Sequence, residues 1–260
     1  MTVPENHPRY QSLLIRERLV AGVKAGITSQ EGLIAHGRGE AFDYLLGERT
    51  IDSAVHASRA AAALLLAAKH PILSVNGNVA ALVPDEIIEL SRVTGAQIEI
   101  NLFYRTENRI RAIADHLRAH GAPASEILGE HPDAALPLDH ARSRVCAEGI
   151  HAADVVLVPL EDGDRCQALA SMGKSVITID LNPLSRTAEA ATITIVDNVV
   201  RAIPNMIRLA QQMDGLPEDR LNEIALQHDN KEALQDAIME IVSPWKGKKE
   251  IEPGGTEVLR

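Results

Sequence analysis

Aromatic residues are scarce in this 260-residue chain. Two Phe, one Trp and three Tyr make up 2% of it, although 45% of the residues are hydrophobic. The core must therefore be built from Ala, Val, Ile and Leu, and few rings are available to stack on nucleic-acid bases. The formal net charge of -10 also opposes wholesale binding to a phosphate backbone. Composition thus excludes an ordinary nucleic-acid-binding protein, while a local cationic pocket stays compatible with it.

Cysteines and long apolar runs are also rare. Cys146 and Cys166 have neither the CxxC spacing of a metal site nor the number that a secreted disulfide scaffold needs. The longest apolar run, residues 60–68, has about half the length of a membrane-spanning helix, and the polar N-terminus does not resemble a signal peptide. We therefore expect a protein of the reducing cytoplasm without a membrane anchor.

Short apolar runs alternate with longer amphipathic segments through the middle of the chain. This is the pattern of a parallel sheet with crossover helices. The predicted strands are residues 72–75, 97–103, 154–160, 175–179 and 192–196. The predicted helices of this region are residues 84–94, 106–120, 164–172 and 199–213. The predicted fold class is therefore α/β, a Rossmann-like parallel sheet flanked by helices.

Further helices are predicted before this core. One covers residues 8–25, and a second begins near Ser29 or Glu31, with a glycine-rich turn at Gly37-Arg38-Gly39. An alanine-rich helix over residues 52–69 follows, because alanine has the highest helix propensity.

We expect one α/β domain over residues 1–242. Its expected parts are an N-terminal helical part (about 1–70), the core (about 71–213) and a helical extension (214–242). Residues 243–260 are predicted to be a flexible tail, since their Pro, Gly and Lys do not form a face that packs. The Pro-, His- and Ala-rich stretch between residues 120 and 153 is predicted to be a long loop or small insertion near the site.

Polar side chains follow the carboxyl end of every predicted strand, where an open parallel sheet binds its ligands. These segments are Asn76-Gly77-Asn78, Tyr104-Arg105-Thr106, Glu161-Asp162-Gly163-Asp164, Asp180-Leu181-Asn182 and Asp197-Asn198. Any one of them is explained equally well as turn and N-cap residues, but five together favour a binding edge. The chain contains neither GxGxxG nor a P-loop motif, so no standard fingerprint would hold a nucleotide.

Three carboxylates, those of Glu161, Asp162 and Asp164, lie close together on a strand-to-helix turn. Mg²⁺ prefers one or two carboxylates together with waters and substrate phosphates, so this turn could hold the metal of a metal–nucleotide complex. Alternatively, Asp164 is a helix N-cap and the other acids favour the helix dipole. The sequence leaves both interpretations open.

Arg38 is the best candidate for an anion-binding side chain. Its guanidinium group matches phosphate geometry, and its flanking glycines permit a close backbone approach. His36 could be a phosphate donor, a general base or a structural histidine. Further candidate arginines are Arg16, Arg105 and Arg186.

Several longer strings are together similar to one family. They are GLIAHGRGEAFDY (32–44), GERT (47–50), SVNGNVAALVP (74–84), INLFYRT (100–106), VVLVPLEDGDR (155–165), VITIDLNPLSR (176–186) and ITIVDN (193–198). They resemble segments of the archaeal 4-phosphopantoate–β-alanine ligases, or phosphopantothenate synthetases. The resemblance runs from about residue 7 to residue 214.

This resemblance implies a homodimeric enzyme of coenzyme A biosynthesis. It would join 4-phosphopantoate to β-alanine with ATP, releasing AMP and pyrophosphate, and would have a Rossmann-like core. By matching position, the implied ATP contacts are Arg16, Arg38, Asp180, Leu181, Asn182, Arg186, Thr187, Asp197 and Asn198. We add His36 and Arg38 as catalytic candidates and Glu161, Asp162 and Asp164 as candidate Mg²⁺ ligands. The candidate substrate-binding residues are Asn76, Asn78, Asn101 and Arg105.

An AMP-forming route implies that the pantoate carboxylate attacks the α-phosphate of ATP to give an acyl-adenylate. The neutral amine of β-alanine then attacks it, and a carboxylate or His36 could accept the proton. One alternative is a non-catalytic regulatory module that binds adenine nucleotides, but it leaves the three-acid turn and Arg38 without a role. Another is a doubly wound oxidoreductase, against which the missing glycine fingerprint counts.

Overall fold

The computed structural model describes residues 4–7 and 9–243, and eight strands lie among them. The strands are β1 (Pro71–Val75), β2 (Gln97–Ile100), β3 (Ile127–Leu128), β4 (Ala134–Ala135), β5 (Arg144–Val145), β6 (Val155–Leu157), β7 (Ser175–Ile179) and β8 (Ile193–Ile195). Six of them form one sheet in the order β3-β2-β1-β6-β7-β8, and every pair in it is parallel. This is the strand order of the Rossmann fold, with the switch point between β1 and β6.

Eleven α-helices surround the sheet in the described part of the chain. They are α1 (Tyr10–Lys24), α2 (Gln30–Leu45), α3 (Asp52–Ala67), α4 (Gly77–Leu82), α5 (Pro84–Thr94), α6 (Glu107–Ala119), α7 (Gly163–Ser171), α8 (Arg186–Ala190), α9 (Val199–Gln212), α10 (Glu218–Leu226) and α11 (Asn230–Val242). None of the helices in this part is long and apolar enough to cross a membrane. The α/β class, the parallel sheet and the flanking helices at both ends are confirmed.

Both faces of the sheet are buried, which explains the apolar runs of its strands. Successive side chains of β1 point to opposite faces. Leu73 lies in the core shared with α3, α5 and α9, whereas Ile72 lies in the core shared with α7. Because helices cover both faces, the polar side chains at the carboxyl ends of the strands remain open to a ligand.

The glycine-rich turn predicted within the second helix was wrong. Helix α2 runs without a break through Gly37, Arg38 and Gly39. Within α2, close packing requires glycine only at Gly32, where an added Cβ atom would lie 2.6 Å from Asn78 Oδ1. An added Cβ atom would meet no atom of the described residues within 4 Å at Gly37 and would make an ordinary contact, 3.5 Å from a methyl carbon of Leu181, at Gly39.

Strands β2 and β6 are shorter than predicted. The prediction of residues 97–103 as a strand fails after Ile100, and that of residues 154–160 fails after Leu157. Apolar residues continue beyond both ends, but they bury their side chains in the turns at the sheet's carboxyl edge; Leu102 and Val158 are examples. The sequence also failed to predict the short helices α4 and α8 and the edge strand β3.

The stretch between residues 120 and 153 is an insertion with structure of its own, rather than one long loop. It contains β3, the antiparallel pair β4–β5 and several short turns. Glu99 holds it in place, because its buried carboxylate accepts hydrogen bonds from the backbone N–H groups of Cys146 (2.9 Å) and Ile150 (2.6 Å). Burial raises the pKa of Glu99 above its ordinary value. Of the predicted tail, only Ser243 lies within the described residues.

The extension after α9 is helical as predicted, and Asn230 joins it to the sheet. The Asn230 side chain accepts a hydrogen bond from Thr194 N (2.7 Å) and donates to the carbonyls of Ala188 (2.9 Å) and Ala191 (3.1 Å). These bonds attach the start of α11 to the edge strand β8 and to the C-terminal end of α8.

We predict that Asn230→Ala lowers the free energy of unfolding by about 1–3 kcal/mol, because the backbone N–H of Thr194 and the carbonyl of Ala191 lose their side-chain partner and the carbonyl of Ala188 keeps only Thr194 Oγ1 among the described residues. Chemical denaturation measures the change. The matched control is Asn222→Ala, at a partly buried residue of α10 with no side-chain hydrogen bond in the described chain, and it should stay within about 0.5 kcal/mol of the parent. Equal denaturation midpoints for the two variants would contradict the assigned role.

Candidate functional site

A cleft opens beneath α2, over the carboxyl ends of β1, β6 and β7. It consists of two adjoining cavities. The β7 cavity, of about 470 Å³, is bordered by the turn that follows β7. The β1 cavity, of about 260 Å³, is bordered by the turn that follows β1. Arg38, Asn78, Leu160 and Asp162 line both. The cleft lies at the switch point of the sheet, where doubly wound folds bind ligands.

Arg38 projects from α2 between the two cavities. It is exposed, and no hydrogen bond or ion pair engages its guanidinium group within the described residues. Its positive charge acts on Asp180, whose pKa it lowers against the larger opposite effect of burial. Arg38 is therefore free to bind an anion in either cavity, as the sequence predicted for an anion-binding residue.

The turn after β7 supplies one wall of the β7 cavity. The Asp180 carboxylate accepts hydrogen bonds from Asn182 N (2.9 Å) and Ser185 Oγ (2.5 Å), and burial raises its pKa. Leu181 is buried beside them, and Thr187 donates its hydroxyl hydrogen to the Glu161 carbonyl (3.0 Å). All of these residues line the cavity, so the structure brings this group of predicted ATP contacts together.

The turn after β1 forms the floor of the β1 cavity. Asn76 is the N-cap of α4; it accepts hydrogen bonds from Asn78 N and Val79 N (both 3.1 Å) and donates to the Pro159 carbonyl (2.8 Å). Asn78 donates to the Gly32 carbonyl (2.9 Å). Both side chains therefore connect α2 and β6 to this turn while they line the cavity.

Glu161 is the most buried of the three acids that follow β6, with 1% of its side chain exposed. Arg142 Nη1 donates to both of its carboxylate oxygens (2.6 and 2.7 Å), and the fully buried Arg165 also pairs with it. Arg165 in turn donates to Ser74 Oγ on β1 (3.2 Å). Because the two arginines occupy both oxygens, Glu161 does not fit the role of a metal ligand.

The side chains of Asp162 and Asp164 are more exposed than that of Glu161. Asp162 lines both cavities, its Oδ2 lies 3.1 Å from Arg142 Nε, and burial raises its pKa. Asp164 is half-exposed and accepts from His140 Nε2 (3.1 Å). Within residues 4–7 and 9–243, no group of three or more His, Cys, Asp or Glu side chains is arranged to hold a metal ion. The residues therefore fit Mg²⁺ only as one or two carboxylates that complete a metal–phosphate complex.

Two arginines of the β1 cavity were missed by sequence reasoning. Arg109 projects from α6 and donates to the carbonyls of Tyr104 (2.6 Å) and Ile27 (3.2 Å), while its buried Nε has no partner in the described residues. Burial lowers its pKa. Arg142 comes from the insertion. A helix-surface position and a loop position give no sequence signal that would separate these arginines from solvated ones.

Asn101 and Arg105 lie outside both cavities. Asn101 Nδ2 donates to the carbonyls of Arg142 (3.3 Å) and Arg144 (3.1 Å), and Arg105 Nη2 donates to the Gly129 carbonyl (2.8 Å). Both residues hold the insertion against the sheet. The structure thus gives them scaffold contacts, and their predicted substrate contacts stay predictions.

A second group of predicted residues lies on the far side of α2. There a cavity of about 630 Å³, the α1 cavity, lies between α1, α2 and α9. Asn198 lines it and donates to Asp43 Oδ2 (2.8 Å). Buried Asp197 accepts from Thr50 Oγ1 (2.7 Å) and pairs with Arg201 (2.7 Å). Asp180 N and Asp197 N both donate to the Ile195 carbonyl (3.2 and 2.9 Å), so the two turns are neighbours, but Asn198 lines the α1 cavity and the Asp180 turn lines the β7 cavity.

Three predicted residues remain to be placed. Arg16 is bound to Glu40 (2.8 Å) on the exposed surface between α1 and α2. Arg186 is exposed and lies beside Gly163, where an added Cβ atom would come within 2.7 Å of the arginine's own Cβ. His36 lines both the β7 cavity and the α1 cavity. Of these three, only His36 reaches the cleft beneath α2.

The charges of the cleft suit anionic ligands. Arg38, Arg109 and Arg142 converge on the β1 cavity, and Arg38 is shared with the β7 cavity. Guanidinium groups bind phosphate and carboxylate oxygens in pairs. The β1 cavity can therefore hold an anionic molecule, and Arg38 can also reach an anion in the β7 cavity, where Glu161, Asp162 and Asp180 face it.

Comparison with known proteins agrees with this geometry. The sequence model of the phosphopantothenate/pantothenate synthetase family matches residues 53–244. A 4-phosphopantoate–beta-alanine ligase of Methanosarcina mazei is 58% identical over 92% of this chain and 94% of its own length. Ligases of the same name are 56% identical in Thermococcus kodakarensis (93% of this chain, 92% of theirs) and 50% identical in Methanospirillum hungatei (91% and 95%). On the strength of this nearly full-length similarity, the chain belongs to the phosphopantothenate/pantothenate synthetase family.

Proposed function

We propose that this protein condenses 4-phosphopantoate with β-alanine to form 4′-phosphopantothenate, a step of coenzyme A biosynthesis. The observation that carries the proposal is 58% identity to a ligase of that name over 92% of this chain and 94% of the relative.

The condensation needs an activated carboxylate, and we assign ATP to that role. The pantoate carboxylate attacks the α-phosphate, pyrophosphate leaves, and an acyl-adenylate forms. The β7 cavity is the place for ATP, since Asp180, Asn182 and Thr187 line it. The β1 cavity, with Arg109 and Arg142, is the place for the phosphorylated acid. Arg38 lies between them, where a cation stabilises the charge that builds up on the α-phosphate.

Magnesium would accompany ATP as a metal–phosphate complex. Asp162 lines both cavities and is the best-placed carboxylate to complete its coordination, with Asp164 beside it on the same turn. When bound, the ion would neutralise phosphate charge. The protein's own contribution is to orient Asp162, which the Arg142 guanidinium does from 3.1 Å.

We further propose a homodimer that works in the cytoplasm. Asp43 is the one buried residue of the 16 in α2, whereas Ile34 and Tyr44 of the same helix are 66% and 71% exposed. We propose that a second copy of the chain packs against these exposed apolar side chains and buries them. Both cysteines are free and buried, which suits a reducing compartment. A solution mass equal to that of one chain, measured by light scattering, would contradict the dimer.

The decisive assay follows pyrophosphate release from ATP. We predict release that depends on 4-phosphopantoate, and conversion of the acid to 4′-phosphopantothenate when β-alanine is added. Product analysis should show AMP rather than ADP. Tight ATP binding with no turnover in the presence of both substrates would instead favour a regulatory nucleotide-binding module, and formation of ADP would contradict the adenylate route.

The role of the acid turn is tested with Asp162→Asn and Asp164→Asn. If Asp162 completes the magnesium site, its neutral variant should need more Mg²⁺ both for activity and for ATP binding measured by calorimetry. Asp164→Asn is the matched control. The predicted N-cap role of Asp164 was wrong, because the N-cap of α7 is Asp162; Asp164 is a half-exposed residue of the first turn, so its neutral variant should barely change stability. Identical Mg²⁺ titrations for the parent and Asp162→Asn would remove this turn from the metal site.

A further inference from the structure

Helix α2 separates the β7 cavity from the α1 cavity, and its two sides face different surroundings. Residues three and four apart share one face of a helix. Ala35, Arg38, Gly39 and Phe42 line the β7 cavity, whereas Glu40 and Asp43 line the α1 cavity. Among the described residues, His36 alone lines both. Its imidazole ring therefore lies at the boundary through which a molecule in the α1 cavity would meet one bound in the β7 cavity.

His36 is chemically free at this boundary. No hydrogen bond or ion pair engages its ring within the described part of the chain, and the side chain is partly buried. Burial lowers the pKa of His36; Arg16 acts in the same direction, while Glu40 and Asp43 act against it. The ring is thus neutral near neutral pH, and a neutral imidazole accepts a proton.

The α1 cavity and the β1 cavity differ in charge. The α1 cavity is lined by the carboxylates of Glu5, Glu40, Asp43, Glu48 and Glu86 and by the guanidinium groups of Arg9, Arg18 and Arg201. Carboxylates are in the majority there, whereas three arginines and two acids line the β1 cavity. A cationic amine is therefore favoured in the α1 cavity over the β1 cavity.

Resting on the proposed ligase function, we propose that His36 is the catalytic base for the amine and that β-alanine approaches the acyl-adenylate through the α1 cavity. The ammonium group of β-alanine transfers one proton to the His36 imidazole and becomes nucleophilic. Its nitrogen then attacks the carbonyl carbon of the mixed anhydride. The C–N bond forms, the bond between the carbonyl carbon and the phosphate oxygen breaks, and AMP leaves with that electron pair. The second amine proton goes to solvent.

Other groups near the cleft are less suited to this role. The Asp180 carboxylate already accepts two hydrogen bonds, from Asn182 N and Ser185 Oγ. Asp162 is paired with Arg142. Both carboxylates are therefore engaged by groups of the protein, whereas the His36 ring is free to meet the amine. Of the groups that line the β7 cavity and can accept a proton at neutral pH, His36 is the one without a hydrogen-bond or ion-pair partner in the described chain.

The test measures the two half-reactions of the enzyme, adenylation and amide formation, separately in the His36→Gln variant. Adenylation is followed as 4-phosphopantoate-dependent exchange of labelled pyrophosphate into ATP, which needs no amine. Amide formation is followed with β-alanine and, separately, with hydroxylamine, which is uncharged at neutral pH and needs no base. The matched control is His56→Gln, at an exposed histidine of α3 outside both cavities.

The variant should keep parental pyrophosphate exchange and hydroxamate formation but lose about 10²–10⁴-fold in the rate with β-alanine, the usual contribution of a positioned base. Added imidazole should partly rescue His36→Ala, and His56→Gln should behave like the parent. An unchanged rate with β-alanine, or equal losses in both half-reactions, would overturn the assignment. Absence of exchange in the parent protein would instead refute the ligase function itself, so the two failures are distinguishable.

Discussion

The buried ion pairs of Glu161 hold the parts of the cleft together. Its carboxylate lies between Arg142 of the insertion and Arg165 of α7, and Arg165 continues to Ser74 on β1. The backbone carbonyl of Glu161 accepts from Thr187 on α8. Leaving such a charge buried without its partner costs about 3–5 kcal/mol. Four separate segments are therefore fixed to the end of β6, and the cleft between them is preformed.

Helix α2 determines what each side of this cleft can bind. Gly32 permits a close approach to the turn after β1, and Arg38 reaches both cavities from one position. The opposite side of the helix carries Glu40 and Asp43 toward the α1 cavity. One helix therefore lies between the cleft proposed for ATP and the phosphorylated acid and the α1 cavity proposed for the amine. The helical period determines which residues face each side.

Much of this arrangement was predictable from the sequence. Buried parallel strands have a strong apolar signal, and their polar ends identified Asp180, Asn182 and Asn78 before their positions were known. The continuity of α2 was not predicted, since the low helix propensity of Gly37 and Gly39 favoured a turn there. Nor were Arg109 and Arg142, whose place in the cleft depends on long-range contacts of α6 and the insertion. Short elements such as β3 and α4 likewise depend on tertiary contacts.

The central claim, that nucleotide and acid meet beneath α2, is tested most directly by a crystal structure. The protein would be crystallised with a non-hydrolysable ATP analogue, Mg²⁺ and 4-phosphopantoate. The account predicts the analogue in the β7 cavity against the Asp180-Leu181-Asn182 turn, the acid's phosphate in the β1 cavity, and Arg38 in contact with the analogue's phosphates. A nucleotide bound in the α1 cavity, with the cleft beneath α2 empty, would contradict it.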